Sequence, residues 1–200
     1  SNPDLDAETS ETMSFGLEYT YDNNWVAKVN YVTLELQSAN EYVSAQDMLN
    51  VDRNTGGDNP QVTRNSLGAV VEIAAGYQNA VSDVQRKSVD LALDGTIHES
   101  DDYGTFGFRG EATKYLKFET ETQFGSGILG DAVDTLGFPE WRSSALISWT
   151  MGNWGANLRT SYIGESESGS GEVKWDSWKE HNLNVSYNFN ELGEVTLGAN

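Results

Sequence analysis

Eight segments of this chain, each about ten residues long, alternate apolar side chains with polar or small ones. The clearest segment places Leu183, Val185, Tyr187 and Phe189 between Asn182, Asn184, Ser186 and Asn188. A period of two puts these two sets on opposite faces of a β-strand, whereas a helix would mix them. The pattern therefore predicts strands with one apolar face and one hydrophilic face.

The same alternation recurs at 13–21, 25–36, 88–94, 105–118, 141–150 and 154–162, and a last segment begins at Val195. The segment 25–36 changes phase between Tyr31 and Val32, which predicts a β-bulge there. Lys114 is the one charge on the apolar side of its segment. Leu146 interrupts the alternation of 141–150, because it falls with the polar set.

The connections between these segments alternate between short and long. Short ones lie at 22–24, 100–104, 151–153 and 190–193, and long ones lie at 37–68, 120–140 and 163–180. In the first long connection we expect a single helical turn at 45–49, followed after Gly68 by a short strand at 69–77. Outer-membrane barrels have short turns at one end and long loops at the other. We therefore expect all the short turns to lie at one end of the sheet.

Aromatic side chains flank three of the short connections. The pairs are Tyr21 and Trp25, Trp149 and Trp154, and Tyr187 and Phe189. Amphipathic rings gather at the level of lipid headgroups, so this placement indicates an interfacial girdle. Together the patterns predict an all-β fold: an antiparallel up-and-down meander that forms part of a transmembrane β-barrel.

Composition narrows the functional class. A chain of 200 residues is long enough for an independent all-β domain, so length does not require a membrane. The mean hydropathy of -0.52 reflects the lack of any apolar run long enough for a transmembrane helix, whereas barrel strands bury only alternate residues in lipid. A net charge of -19 argues against nucleic acid as a partner. Without cysteine, disulfides and thiolate metal sites are excluded.

No motif indicates catalysis or a cofactor. His98 and His181 are isolated, and neither has a nucleophile nearby in the sequence. Carboxylates are abundant in the connections, but their spacing matches neither a calcium loop nor a glycosidase pair. We expect most of them to be solvated, with a loop-bound divalent cation as the alternative. The sequence therefore predicts a protein that is not an enzyme.

Two sets of residues are candidates for a binding site. The first consists of charges on the hydrophilic strand faces: Glu18, Lys28, Asp90, Arg109, Glu111, Lys117 and Arg159. We expect them to face a lumen, because a Lys or Arg on the lipid side costs about 2–4 kcal/mol at the midplane. They would line a solute path or neutralise one another across strands. The second set consists of aromatics in the long connections, which could stack on a sugar or an aromatic chelate: Tyr42, Phe124, Phe138, Trp175 and Trp178.

Several segments resemble the barrel of TonB-dependent outer-membrane receptors. Residues 2–10 resemble the family's Asn-Pro-x-Leu-x-Pro-Glu-x-Ser segment, with Ala7 where proline is usual. Residues 77–79 with 86–91 resemble its Asn and Gly-hydrophobic-Asp/Glu-Leu stretch, with Ser88 where glycine is common. Residues 138–142, together with Trp149, Trp154 and 162–164, are similar to its late strands, and 195–200 to its penultimate strand.

This resemblance implies a large barrel with an amino-terminal plug, of which residues 1–200 would form a carboxy-terminal part of eight or nine strands. We then expect an unclosed sheet with free edges at the strands of Met13 and Val195. The implied location is the outer membrane of a Gram-negative bacterium. The implied partners are outer-membrane lipid, the receptor's own plug and TonB, both contacted outside this chain, and a small-molecule or oligosaccharide substrate.

The implied function is energised uptake of a scarce solute, such as an iron chelate, cobalamin or an oligosaccharide. The alternative is a small independent outer-membrane or soluble β-protein that acts as an adhesin or scaffold. In that case the strands would close or pair by themselves, and the native precursor would be short.

Overall fold

A computed structural model describes residues 5–22, 24–80, 82–122, 129–135, 137–168, 171–189 and 193–199. The long strands are β1 (Thr9–Tyr21), β2 (Trp25–Gln37), β7 (Val84–Ser100), β8 (Gly104–Glu121), β10 (Trp141–Met151), β11 (Trp154–Ile163), β14 (Trp178–Asn188) and β15 (Glu194–Ala199). The short strands are β3 (Asn40–Val43), β4 (Val62–Arg64), β5 (Val70–Ile73), β6 (Gly76–Asn79), β9 (Leu129–Asp131), β12 (Ser166–Glu167) and β13 (Lys174–Trp175). The described residues contain one helix, α1 (Ala45–Asn54).

The long strands form one sheet in chain order, β1-β2-β7-β8-β10-β11-β14-β15, and β9 pairs beside β8. The remaining short strands pair among themselves as β3-β6, β4-β5 and β12-β13. The structure confirms the predicted all-β antiparallel meander and matches part of a larger barrel. Within the described residues the path begins at β1 and ends at β15 without pairing these two strands, so the sheet does not close.

The chain separates into two compact units. One consists of Ser1–Met13, Thr33–Arg86 and Lys117–Ala132, and we call it the loop unit. The other consists of Ser14–Val32, Lys87–Leu116 and Val133–Asn200, and we call it the sheet unit. No helix in the described part of either unit has the length and apolar character needed to cross a bilayer.

The register of the sheet unit assigns each residue to a face. Trp149 pairs with Phe106 and with Ala156, and Ala156 pairs with Val185. One position along, Ser148 pairs with Gly107 and with Asn157. Paired residues of an antiparallel sheet share a face, and successive residues alternate. Hence the sheet unit has an apolar face and an opposite polar face. The apolar face carries the odd-numbered residues of β10 and β14 and the even-numbered residues of β8 and β11.

Leu146 lies on the polar face, as the sequence pattern indicated. It pairs with Arg109 of β8 and with Arg159 of β11 in an unbroken register, so its strand is regular. The bulge predicted between Tyr31 and Val32 remains a prediction.

The short turns of the sheet unit lie at one end, as predicted. Strands β8, β10, β11, β14 and β15 are successively antiparallel, so the starts of β8, β11 and β15 meet the ends of β10 and β14. Gly152 forms the β10–β11 turn with a φ of 55°, and Asp22 begins its turn with a φ of 52°. Both values lie in the left-handed region, which suits the tight turns between twisted strands. Asn23 and residues 190–192 lie outside the described residues.

Aromatic rings contact one another across strands near these turns. Ring centroids are 6.2 Å apart for Trp25 and Phe108, 6.3 Å for Phe106 and Trp149, and 4.8 Å for Trp154 and Tyr187. The Trp149 indole Nε1 donates a 2.7 Å hydrogen bond to the carbonyl of Tyr103 in the adjacent turn. Four of the aromatics predicted to flank the turns therefore each contact a ring on another strand: Trp25, Trp149, Trp154 and Tyr187.

Helix α1 in the loop unit is longer than the single turn predicted at 45–49. Ser44 caps its start, because the Asp47 amide donates a 3.2 Å bond to the Ser44 hydroxyl. At the other end the Thr55 amide donates to the Val51 carbonyl at 2.9 Å. The helix extends to Asn54 because both ends are capped and because it buries Met48 in a local core.

That core explains why the first long connection is folded. Val43, Met48 and Val62 are buried together, and Leu49 and Ile73 pack against them. The strand predicted at 69–77 is instead two strands, β5 and β6, which pair with β4 and β3 respectively. The prediction was wrong because the partners of these strands come from residues earlier in the connection, which local periodicity does not specify.

A buried carboxylate ties the helix to the β4–β5 hairpin. The Asp52 side chain is 2% exposed and pairs with the Arg64 guanidinium. Arg64 also donates a 2.9 Å bond from Nη1 to the Gly68 carbonyl at the hairpin tip. The Asn59 side-chain amide donates to the Met48 carbonyl at 3.3 Å.

Elsewhere in the loop unit, the pKa of Glu41 is raised, mainly by partial burial of the carboxyl group and to a smaller extent by repulsion from Glu121.

We predict that Met48→Ala destabilises the folded loop by about 2–5 kcal/mol, because it removes a buried side chain from a small core and leaves a cavity. Amide hydrogen exchange of β3 and β4 in the full-length protein measures this change. Gln46→Ala on the exposed side of the same helix is the matched control and should leave exchange almost unchanged. Equal protection in the two variants would contradict the local core.

Candidate functional site

Several of the charged strand residues predicted as site residues form ion pairs. Lys28 Nζ lies 2.8 Å from Glu18 Oε2, and Arg109 Nε lies 2.7 Å from Asp94 Oδ2. Thr113 donates a 2.7 Å hydrogen bond to Asp90 Oδ1. These contacts join β1 to β2 and β7 to β8 across the polar face. Two of them, Lys28–Glu18 and Arg109–Asp94, pair opposite charges on different strands.

Lys117 lies in the loop unit, where its Nζ is 2.8 Å from Glu119 Oε2 two residues along the same strand. Three of the candidate charges thus form pairs with acids, Lys28, Arg109 and Lys117, and Glu18 is the partner of one of them. The sequence pattern placed these charges on one face, but their partners depend on the strand register.

Arg159 and Glu111 differ from the others. Arg159 is exposed on the polar face, where its register neighbours are Leu146 and Asn182, and neither carries a charge. Glu111 is also exposed and pairs in register with Ser144. Within the described ranges neither side chain forms an ion pair or a hydrogen bond. The charge of Glu111 interacts with that of Arg109, whereas Arg159 remains available to a ligand or to another part of the protein.

A recess of about 290 Å³ lies on the polar face at the end opposite the short turns. Its lining includes Glu111, Arg142, Ser161 and Trp178. Arg142 is held toward the β9–β10 connection by a 2.7 Å bond from Nη2 to the Gly137 carbonyl. The recess thus combines a cation, a carboxylate, a hydroxyl and an indole.

Trp178 was predicted in a long connection, and this assignment was wrong. It is the first residue of β14, paired with Ile163 at the end of β11, because the β11–β14 ladder extends beyond the segment with clear alternation. The indole is 49% exposed. Its position on the strand fixes the ring beside the recess, which a loop residue would not ensure.

The other predicted aromatics lie in different elements. Tyr42 lies in β3, Phe138 forms a β-bridge with Thr135, and Trp175 lies in β13. Phe124 lies outside the described residues.

Tyr77 is an aromatic that the sequence reasoning did not include. It pairs in register with Tyr42, and the two rings meet edge to face with centroids 5.6 Å apart. Both tyrosines are more than half exposed, at 67% for Tyr42 and 58% for Tyr77. Their pairing joins segments that are separated by the whole of helix α1 and the β4–β5 hairpin, so no local signal reveals it. The pair forms an exposed aromatic patch on the loop unit.

Within the described residues there is no group of three or more side chains that could hold a metal ion. The candidate site on the sheet unit therefore consists of the polar recess with Trp178 and the charges Glu111 and Arg159. The exposed tyrosine pair is a separate candidate on the loop unit.

The fold resembles solved receptors at low sequence identity. A mutant of the ferric enterobactin receptor from Pseudomonas aeruginosa, in complex with enterobactin, superposes with a TM-score of 0.62 at 16% identity over 94% of this chain and 25% of that one. The siderophore receptor of Acinetobacter baumannii gives 0.62 at 15% identity, over 95% of this chain and 27% of that one. This chain spans about a quarter of the length of these structures. No curated protein sequence matches it significantly.

The family comparison covers the entire chain. Residues 1–200 match the model of the TonB dependent receptor-like β-barrel. This match agrees with the meander order, the alternating faces and the row of aromatics at the short turns. The chain therefore belongs to the TonB-dependent receptor β-barrel family, whose members are transport receptors rather than enzymes.

Proposed function

We propose that this chain is a carboxy-terminal part of the barrel of an outer-membrane receptor that imports an iron chelate with energy supplied through TonB. The observation that carries this proposal is the family match over residues 1–200. The choice of an iron chelate draws on the siderophore receptors whose folds superpose on the chain. The plug, TonB and the substrate are the expected partners of the complete receptor.

The two faces of the sheet unit fit this membrane placement. At the level of Leu183 the apolar face carries Leu158 and Ala199 as register neighbours, whereas the adjacent Asn184 has Asn157 and Gly198. Leu183 is 46% exposed, so a large apolar side chain lies uncovered on the sheet. Lipid covers such a face in a barrel, and the lumen hydrates the other.

On the polar face, the recess beside Trp178 supplies chemistry that suits a chelate. An indole stacks on planar aromatic ligand groups, and guanidinium groups attract the negative charge that ferric chelates commonly carry. Arg142 lines the recess, and Arg159 lies four residues before the Ile163–Trp178 pair with no ion pair in the described residues. The exposed Tyr42 and Tyr77 rings offer a further stacking surface on the loop unit.

The alternative of an independent adhesin or scaffold receives less support. Within the described residues β1 and β15 do not pair, so the sheet lacks the closure that a small barrel requires. A native precursor well above 600 residues with an amino-terminal plug would favour the receptor, and one near 220 residues would favour the alternative.

We predict that Trp178→Ala in the full-length receptor weakens binding of its ferric chelate about 3- to 10-fold, which corresponds to the loss of one aromatic contact. Binding is measured by quenching of intrinsic fluorescence with a panel of ferric siderophores, and growth on the same chelates under iron limitation gives a second readout. Trp175→Ala is the matched control, because Trp175 does not line the recess. Equal losses in both variants would contradict the assignment of the recess.

We also predict that Leu183→Arg lowers folding stability in lipid vesicles by about 2–4 kcal/mol, because the charge enters hydrocarbon near the midplane. Asn184→Arg should cost much less, because its charge remains hydrated on the lumen side. Urea unfolding of the full-length receptor in vesicles compares the two variants. A larger loss for Asn184→Arg would reverse the assigned faces.

A further inference from the structure

The asparagine that ends β6 makes hydrogen bonds to three separate parts of the loop unit. The Asn79 side-chain oxygen accepts a 2.8 Å bond from the Asp6 amide, and Nδ2 donates to the Asp6 carbonyl at 3.1 Å. Nδ2 also lies 2.8 Å from the Ser38 carbonyl and 2.9 Å from Asn40 Oδ1. Its two hydrogens are thus shared among three acceptors. One side chain therefore joins segment 5–8, the corner between β2 and β3, and the start of β3, and we call these contacts the clasp.

The clasp imitates the pairing of two strands. The Asn79 side chain bonds both the amide and the carbonyl of Asp6, as the backbone of a neighbouring strand would do. A further bond reaches the partner strand, because the Asn40 amide donates to Glu8 Oε2 at 3.1 Å. The segment that leads into β1 is therefore attached to both strands of the β3–β6 pair.

The clasp also supports a corner with uncommon backbone geometry. Ser38, between β2 and β3, has a φ of 53°, in the left-handed region that disfavours residues with a Cβ. Its carbonyl accepts the bond from Asn79, and the next carbonyl, that of Ala39, accepts a 2.8 Å bond from the Ala80 amide. Ala39 is buried. The corner that sets the direction of β3 is therefore held by the end of β6.

The clasp lies directly beside the tyrosine pair. Asn40 pairs with Asn79 in register, and Tyr42 pairs with Tyr77 two positions further along the same strands. Residues two apart on a strand share a face, so the asparagines and the tyrosines lie on one face of the β3–β6 pair. Val43, on the opposite face, is buried in the local core. The core thus fixes one face of these strands, and the clasp fixes the base of the face that carries the rings.

We propose that Asn79 is a positioning residue, which holds the Tyr42–Tyr77 pair in place for stacking against an aromatic ferric chelate. Stacking depends on the spacing and tilt of the rings, and a surface that is fixed before binding loses less conformational entropy than a mobile one. The asparagine side chain supplies an acceptor and a donor together, as the clasp requires, whereas aspartate lacks the donor. This inference rests on the proposed function, because it assigns the tyrosine pair to the ligand of that receptor.

Amide hydrogen exchange of the full-length receptor tests the clasp itself. Asn79→Ala removes the acceptor of the Asp6 amide, so protection of segment 5–8 should fall, whereas β4 in the local core should stay protected. The matched control is Asn65→Ala, because the Asn65 side chain also binds two backbone amides of the loop unit, but at the tip of the β4–β5 hairpin. Unchanged protection of segment 5–8 in Asn79→Ala, or an equal loss at β4, would overturn the inference.

Chelate binding tests the positioning role. The probe is the ferric catecholate siderophore that binds the wild type most tightly, measured by fluorescence quenching. Asn79→Ala and Tyr77→Ala should each weaken binding about 3- to 10-fold. The double variant should lose no more than Tyr77→Ala alone, because the clasp acts through the ring. Asn79→Asp, which keeps the acceptor and loses the donor, should also weaken binding, and Asn65→Ala should bind like the wild type.

The outcomes separate this inference from the proposed function. Losses that multiply in the double variant, or unchanged affinity in Tyr77→Ala or in either Asn79 variant, would overturn the inference alone. A wild type that binds only ferric chelates without aromatic groups would do the same. A wild type that binds no ferric chelate would overturn the proposed function together with the inference.

Discussion

In the proposed membrane placement, every backbone amide and carbonyl that enters hydrocarbon must find a partner within the protein, and the sheet unit meets this requirement with continuous strand pairing. The ladder between β10 and β11 is continuous from Arg142↔Ile163 to Met151↔Trp154, and β10 pairs with β8 over the same length. Such ladders fix the register, and the register fixes the faces, because a slip of one residue would move every apolar side chain to the polar side. The faces, the aromatic contacts and the ion pairs all depend on this pairing.

Charged side chains are also distributed differently between the polar face and the apolar face. On the polar face Lys28 and Arg109 are matched by Glu18 and Asp94, so these charges can remain close together. The exceptions are Arg159 and Glu111, which form no ion pair in the described residues and are therefore candidates for contact with a ligand. Among the described residues of the sheet unit, charge on the apolar face lies toward the two ends of the unit, where in the proposed placement long side chains can reach the headgroup level. In the proposed placement, the middle of the apolar face is therefore left to lipid.

The strands of the sheet unit were predictable because alternation with a period of two is a local property that ten residues suffice to display. The short turns were predictable for a similar reason, and residues 101–103 and Gly152 connect the strands as expected. The secondary structure within the long connections was not predictable from local patterns. Helix α1 exceeds its predicted length because it packs on β4, and Tyr77 meets Tyr42 only because β3 and β6 pair across the whole connection.

The candidate site was predictable only in part. Alternation placed Arg109 and Arg159 on one face, but the register alone shows that the first has an acidic partner and the second does not. Trp178 was chosen as a loop aromatic, whereas the β11–β14 ladder makes it a strand residue beside Arg142. Sequence patterns thus identify faces, and contacts between distant strands decide which residues on a face are free to bind.

The central claim is that the apolar face of the sheet unit contacts hydrocarbon in a bilayer. A nitroxide scan of residues 180–187 on β14, in the full-length receptor reconstituted in vesicles, tests it most directly. Collision with a relaxant dissolved in the lipid should alternate with a period of two and should be high at Leu183 and Val185 and low at Asn184 and Ser186. Uniform accessibility along the scan, or no accessibility to the lipid-dissolved relaxant at any position, would contradict the claim.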